Sequence, residues 1–537
     1  MKRFSKKILS LLLCAVLAVS VFAAAGTSGA AEVTEQIPII YIMGMSSIIY
    51  APNEDGSIKR VDDVLNTDSV VKFLTDNKDL FLSSIATQDW SDFCDAVIDF
   101  LTETFKDLAL GPDGLPHNGS YSGFRFDDDI VRERMNSNAG IERFYYEYDW
   151  RLDPLDNMDR LHEFVETVLR VTGSSEYAMC GRCEGACLAL AYYETFKDER
   201  MTGLSFLASA AKGADPVGEA FSGNLYIDAD ALERMAYESD LGLNYEITEG
   251  FTFTDETLDR LLKIASDVYG LDLVCWAVNN VYDQIAERIT PESLRASYGS
   301  FPGMWAMCED EYYEPAKKLV FGGVEDEYSG LIEKIDYYHY NIMNRAEEIL
   351  LDASENGVRI TNITKYGRQA YPVSHQSSEP SDNICRVGNA SFGATVVDVG
   401  ETFDDDYLRD AFKRGEACYI SPDICIDAST CLFPDTTWFV KNLAHGNFPV
   451  EANSFIEYII STPGLTVKSD PACPQYMFFN EEIREVVRYD AEELKNRMDI
   501  INEEFNTSFM RKLKRLFLPV FKAVTFVTKL LVPRARV

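Results

Sequence analysis

An α/β fold, built on a mostly parallel sheet with flanking helices and broken by a large, mainly helical insertion, is predicted by three features of the chain. Short apolar runs rich in β-branched and aromatic residues alternate with helical patterns from residue 37 to about 210. From 212 to 356 the sequence turns helical and acidic over a stretch too long to be a loop. Strand-like runs then return. Strands that alternate with helices are joined by crossovers, so the sheet they build is parallel.

In chain order, 37–43 is a buried strand that enters a turn at Gly44, and 90–108 is helical by its apolar spacing. A Tyr-rich strand follows at 143–150. The stretch 154–171 is an amphipathic helix, with Leu155, Leu161, Phe164, Val165, Val168 and Leu169 on one side. A strand at 176–180, a helix at 185–196 and a strand at 202–209 complete the first half. In the second half, strands are expected at 359–364, 395–399 and 417–420, and a helix at 451–460. The organisation is therefore a first core part at 32–211, a helical cap at 212–356 and a second core part at 357–465. An acidic helical extension at 466–508 and a basic tail at 509–537 follow.

Composition narrows the function classes. Hydrophobic residues at 46% and aromatics at 12% support a substantial core. Lys+Arg 50 against Asp+Glu 87 gives a net charge of −37, which excludes nucleic acid as a partner of the main body. Lys2, Arg3, Lys6 and Lys7 precede an apolar run at 8–22 and small residues at 23–31. This is the pattern of an export signal cleaved after Ala25 or Ala31, so the protein is expected outside the cell or on its surface. At the other end, 509–537 carries basic residues and no acid, interleaved with Leu, Phe and Val. That pattern suits an amphipathic helix on an anionic membrane surface.

Eleven cysteines follow the signal. Cys180, Cys183 and Cys187 match no zinc spacing and have no histidine nearby, so no metal or other cofactor is expected. Pairing among Cys418, Cys425 and Cys431 stays open.

The chemistry lies in Gly181-Arg182-Cys183-Glu184-Gly185. Strand, G-x-C-x-G and helix is the pattern of a nucleophile elbow with cysteine as the nucleophile. Gly181 and Gly185 let the chain pivot without Cβ clashes. The turn presents Cys183 at a helix N-terminus, where the dipole favours the thiolate. The backbone N–H groups of Glu184 and Met45 are the expected oxyanion donors. A base and an acid must follow in the order nucleophile, acid, base. Of five histidines, His445 alone stands in a loop after the last expected strand and before a helix. Asp423 follows the expected 417–420 strand as the acid, with Asp427 as its alternative.

Tyr148-Asp149-Trp150-Arg151, then a helix, then the elbow, resembles lecithin:cholesterol acyltransferase-like α/β-hydrolases over about 37–210 and 359–462. The resemblance implies an α/β-hydrolase fold and a triad of Cys183, Asp423 and His445 acting on acyl esters of lipids. An esterase, lipase or O-acyltransferase working through a thioester is the expected enzyme. The chain departs from the family at Cys183, where serine is usual, at Met43-Gly44, and at Ile424, where glycine usually follows the acid. The alternative is a protein that keeps the fold, has lost the chemistry and binds lipid or a surface partner.

Overall fold

The computed structural model describes residues 37–489 apart from 54, 63–66, 137–142, 241–270 and 447–449. The export signal, the 509–537 tail and residues 490–508 of the extension lie outside the described residues.

Eight strands form the main sheet: β1 Ile39–Ile42, β2 Arg143–Tyr146, β3 Tyr177–Arg182, β4 Met201–Leu207, β5 Arg359–Tyr366, β6 Thr437–Lys441, β7 Tyr476–Asn480 and β8 Glu485–Arg488. Their spatial order is β8-β7-β6-β5-β4-β3-β1-β2. All neighbours are parallel except the β7–β8 pair at one edge.

Strand periodicity explains the two cores. Ile40, Ile42, Tyr177 and Met179 point to one face, whereas Ile39, Tyr41, Ala178 and Cys180 point to the other. Each face is covered, as a parallel sheet requires. Helix α1 (Met158–Thr172) lays Leu161, Phe164, Val165 and Val168 on the first face beside α2 (Gly185–Phe196). Helix α3 (Val450–Ser461) lays Ile456, Ile459 and Ile460 on the second.

Three expectations for the second half fail, each for a local reason. The 417–420 run is a short 3₁₀ turn, Ala417–Tyr419, and not a strand. The 395–399 run pairs only as Thr395–Val396, with Ile426–Asp427, outside the main sheet. The strand that fills this place in the sheet is β6, whose Trp438, Phe439 and Val440 are all buried. The extension expected to be helical contains β7 and β8, because Tyr476, Met477 and Phe479 bury against the sheet core.

The described residues between β4 and β5 are mainly helical, including a 25-residue helix at Leu271–Arg295. One ionic cluster ties this stretch to the second half of the sheet. Arg386 pairs with Asp215 at 3.2 Å, with Glu379 at 3.3 Å and with Glu309. A second contact lies over the β3–α2 turn. The Gly303 N–H donates to the Arg151 carbonyl at 3.1 Å, and a Cβ on Gly303 would stand 2.0 Å from the Trp150 carbonyl oxygen. The Tyr148–Arg151 motif is structural: the fully buried Arg151 grips Asp149 through two nitrogens and reaches Leu108 O and Ser120 Oγ, both at 2.7 Å. No helix among the described residues is long and apolar enough to cross a membrane.

Candidate active site

The turn between β3 and α2 is as sharp as the sequence suggests. Cys183 has φ +53°, in the left-handed region that non-glycine residues avoid. Its backbone is held on both sides: the N–H donates to Leu207 O at 3.2 Å, and its carbonyl accepts from Ala186 and Ala210. Close approach explains the glycines. A Cβ on Gly185 would lie 2.2 Å from the Ile42 carbonyl oxygen, and one on Gly44 would lie 2.7 Å from the Cys183 Cβ. The β1 turn and the elbow therefore touch.

His445 enters from the loop after β6. Its Nδ1 is 2.9 Å from Asp382 Oδ2, and its Nε2 is buried without a hydrogen-bond partner, close to Cys183. Burial alone would lower the imidazole pKa, but Asp382 and the Cys183 sulfur outweigh it and hold it up at about 9. Burial likewise pushes the Cys183 thiol up, and the His445 imidazolium, with the Glu184 N–H and Arg182, brings it below the usual thiol range. The pair is thus biased toward thiolate and imidazolium. Asp382 is buried too, and its tendency to protonate is overcome by His445 and by the Cys385 N–H, 2.8 Å from Oδ1.

Beneath this constellation, the buried Lys365 donates to the carbonyls of Ala444 and His445, each at 2.9 Å, and so fixes the His445 loop. Burial pulls its pKa well below the usual lysine range.

Cys183 and His445 are thus brought together as the sequence anticipates, and Asp423 and Asp427 are not brought to them. Asp423 is bound to Lys441 Nζ at 2.6 Å. Asp427 accepts from Tyr407 Oη at 2.9 Å and caps the Ser429 N–H. The carboxylate that meets His445 belongs to Asp382, in the turn Ser381-Asp382-Asn383 after β5. A signal for it was present: an Asp in a turn-forming stretch, on the connection after a strand, in the required order. It was hidden by the strand misplaced at 417–420.

The expected oxyanion donors fare unequally. Glu184 N–H lies beside the Cys183 sulfur. Met45 N–H is directed to Glu184 Oε2 at 3.4 Å. Burial, reinforced by the neighbouring sulfur, raises the Glu184 carboxyl well above the usual carboxylate range. Cys183 itself is 7% exposed.

The other histidines have local roles. His117 binds Asp113, His162 stacks on Phe196, His339 stacks on Tyr313 beside Asp310, and His375 stacks on Tyr226. All eleven described cysteines are free thiols, including Cys418, Cys425 and Cys431. Among the described residues, one cluster has metal-ligand spacing: Asp382, Cys385 and His445, with ligand atoms within 4.8 Å of one another. Two of its members already bond each other, and Cys385 Sγ donates to Ala208 O at 3.8 Å.

No family model and no curated protein matches the chain. Among solved structures, a chain from the crystal structure of the Tle4-Tli4 complex is similar at 12% identity, with 61% of this chain and 74% of that chain covered and a TM-score of 0.23.

Proposed function

We propose that the protein is an α/β-hydrolase that cleaves or transfers acyl esters, with Cys183 as nucleophile, His445 as base and Asp382 as the acid that orients the base. The observation that carries this reading is the joint geometry of Cys183, at positive φ on a strand–helix turn, and His445, held by Asp382 at 2.9 Å. In this reading the Cys183 sulfur attacks the acyl carbonyl, and the alkoxide leaves with the proton held on His445 Nε2. Water or an acceptor alcohol then attacks the thioester, gives its proton to His445 and releases the acid or new ester as the thiolate re-forms. The Glu184 N–H supports the developing oxyanion.

The kinship we propose is with lecithin:cholesterol acyltransferase-like hydrolases, through the Tyr148–Arg151 motif, and the substrates are lipid acyl esters. The helical stretch at 212–356 then acts as a cap, with the turn at Gly303 packed on the elbow. Export by the N-terminal signal and attachment of the basic tail to an anionic membrane belong to the same proposal.

One observation favours a second reading, in which the fold binds lipid or a surface partner without turnover: Met45 N–H is engaged by Glu184 and not free for an oxyanion. Intact-mass spectrometry after incubation with short- and medium-chain p-nitrophenyl esters separates the two. An acyl adduct on Cys183, with turnover lost in Cys183→Ala, supports the enzyme. A folded protein with neither adduct nor turnover across the ester series supports the binding protein.

A further inference from the structure

A cleft of about 540 Å³ opens between residues 116 and 160. None of Cys183, Asp382 and His445 lines it. Four charged side chains do: Arg125, Asp149, Asp156 and Arg160. The two acids are neutralised from outside the cleft. Asp149 is taken by Arg151, and Asp156 by Lys334 at 2.6 Å.

The two arginines have no such partner. Both guanidinium groups converge on one carbonyl oxygen, that of Phe124, from Arg125 Nη1 at 2.8 Å and from Arg160 Nη2 at 2.6 Å. Arg125 also donates to the Ser122 carbonyl at 3.0 Å. Their remaining contacts are aromatic: Arg125 lies over Tyr121, and Arg160 over Phe124 and Phe126. Neither is ion-paired with any described residue, in a chain where acids outnumber bases 87 to 50.

We infer that this cleft binds a phosphate group, held between the Arg125 and Arg160 guanidinium groups. The ring contacts hold both guanidinium groups, and the shared carbonyl brings them together. A neutral carbonyl leaves their mutual repulsion uncompensated, whereas an anion with several oxygens offsets both charges. Planar forks with free N–H groups match phosphate oxygens two at a time. The phosphate has two sources, a free anion or a lipid headgroup at a membrane surface.

The test uses the full chain and two probes. Inorganic pyrophosphate is titrated calorimetrically at fixed ionic strength, and vesicles of phosphatidylcholine with and without phosphatidic acid are floated with the protein. Wild type is expected to bind pyrophosphate saturably at one site, or to float only with phosphatidic acid, and the arm that responds identifies the source. Arg125→Gln and Arg160→Gln are each expected to weaken that response at least tenfold. Arg160→Lys, which keeps the charge, serves if the Gln form does not fold and is expected to fall between the two. No saturable binding and no phosphatidic-acid-dependent flotation would overturn the assignment. So would responses in the variants equal to wild type, since flotation would then come from another basic segment. Neither result depends on whether Cys183 is catalytic.

Discussion

His445 and Asp382 are joined twice: the imidazole Nδ1 is 2.9 Å from Asp382 Oδ2, and the His445 backbone N–H donates to the Asp382 carbonyl at 2.8 Å. Two loops 63 residues apart in sequence are thereby locked in register. The Nδ1 contact orients the ring, and the backbone bond holds the loop that carries it.

The first prediction follows from that lock. Asp382→Asn is expected to lower ester turnover by about 10²- to 10⁴-fold, since an amide favours the wrong imidazole tautomer. Asp423→Asn, which only loosens the Lys441 pair, is expected to stay within about tenfold of wild type. Equal losses in the two variants, measured as kcat/KM on one p-nitrophenyl ester, would count against Asp382.

Thiol reactivity should carry the pH signature of the Cys183–His445 pair. The folded Cys183 lies below the usual thiol range, so its alkylation by iodoacetamide should reach half-maximum at lower pH than that of an ordinary cysteine. In His445→Ala the burial that raises the thiol is left largely unopposed, and the midpoint should move above that of wild type. Peptide mapping of the alkylated protein across pH 5 to 10 checks both directions. An unmoved midpoint would show that His445 does not act on the thiol.

The glycine at the elbow is a packing requirement. Gly185→Ala would drive a Cβ to within 2.2 Å of the Ile42 carbonyl oxygen, a backbone atom that cannot rotate away. Crowding of this kind costs about 1–3 kcal/mol or more. Denaturant unfolding should show it, together with loss of turnover.

The Arg386 cluster makes a stability prediction with a definite pH sense. Asp215, Glu309 and Glu379 all titrate above the usual carboxylate range, with burial the largest cause in each. The folded state therefore binds protons more tightly than the unfolded chain. The stability this contributes is present below about pH 4 and lost as pH rises through the folded values. Arg386→Ala is expected to cost about 3–5 kcal/mol at pH 7 by stranding these carboxylates. The cost should shrink at pH 5, where they take up protons more readily. A loss that is equal at both pH values in chemical unfolding would contradict the ionic account.

Much of the first half was legible because its signals are local. The 185–196 helix lies where its apolar pattern puts it, and β3 and β4 fall within a few residues of the expected strands. The glycines around Cys183 encode a sharp turn whose need for them depends on immediate neighbours. The position of His445, after a strand and before a helix, was also readable.

Local patterns carry the alternation that makes the sheet parallel, the sharp turn at Cys183 and the place of His445 in a loop between a strand and a helix. Which carboxylate meets that histidine was decided by the tertiary structure. Asp382, Asp423 and Asp427 all fall in the permitted order, and no local pattern separates them. The choice depends on β6 pairing beside β5, which carries the His445 loop to the Ser381–Asn383 turn and leaves Asp423 to Lys441. Register between strands joined by long connections is set by packing across the whole sheet, a property that no short window of sequence contains.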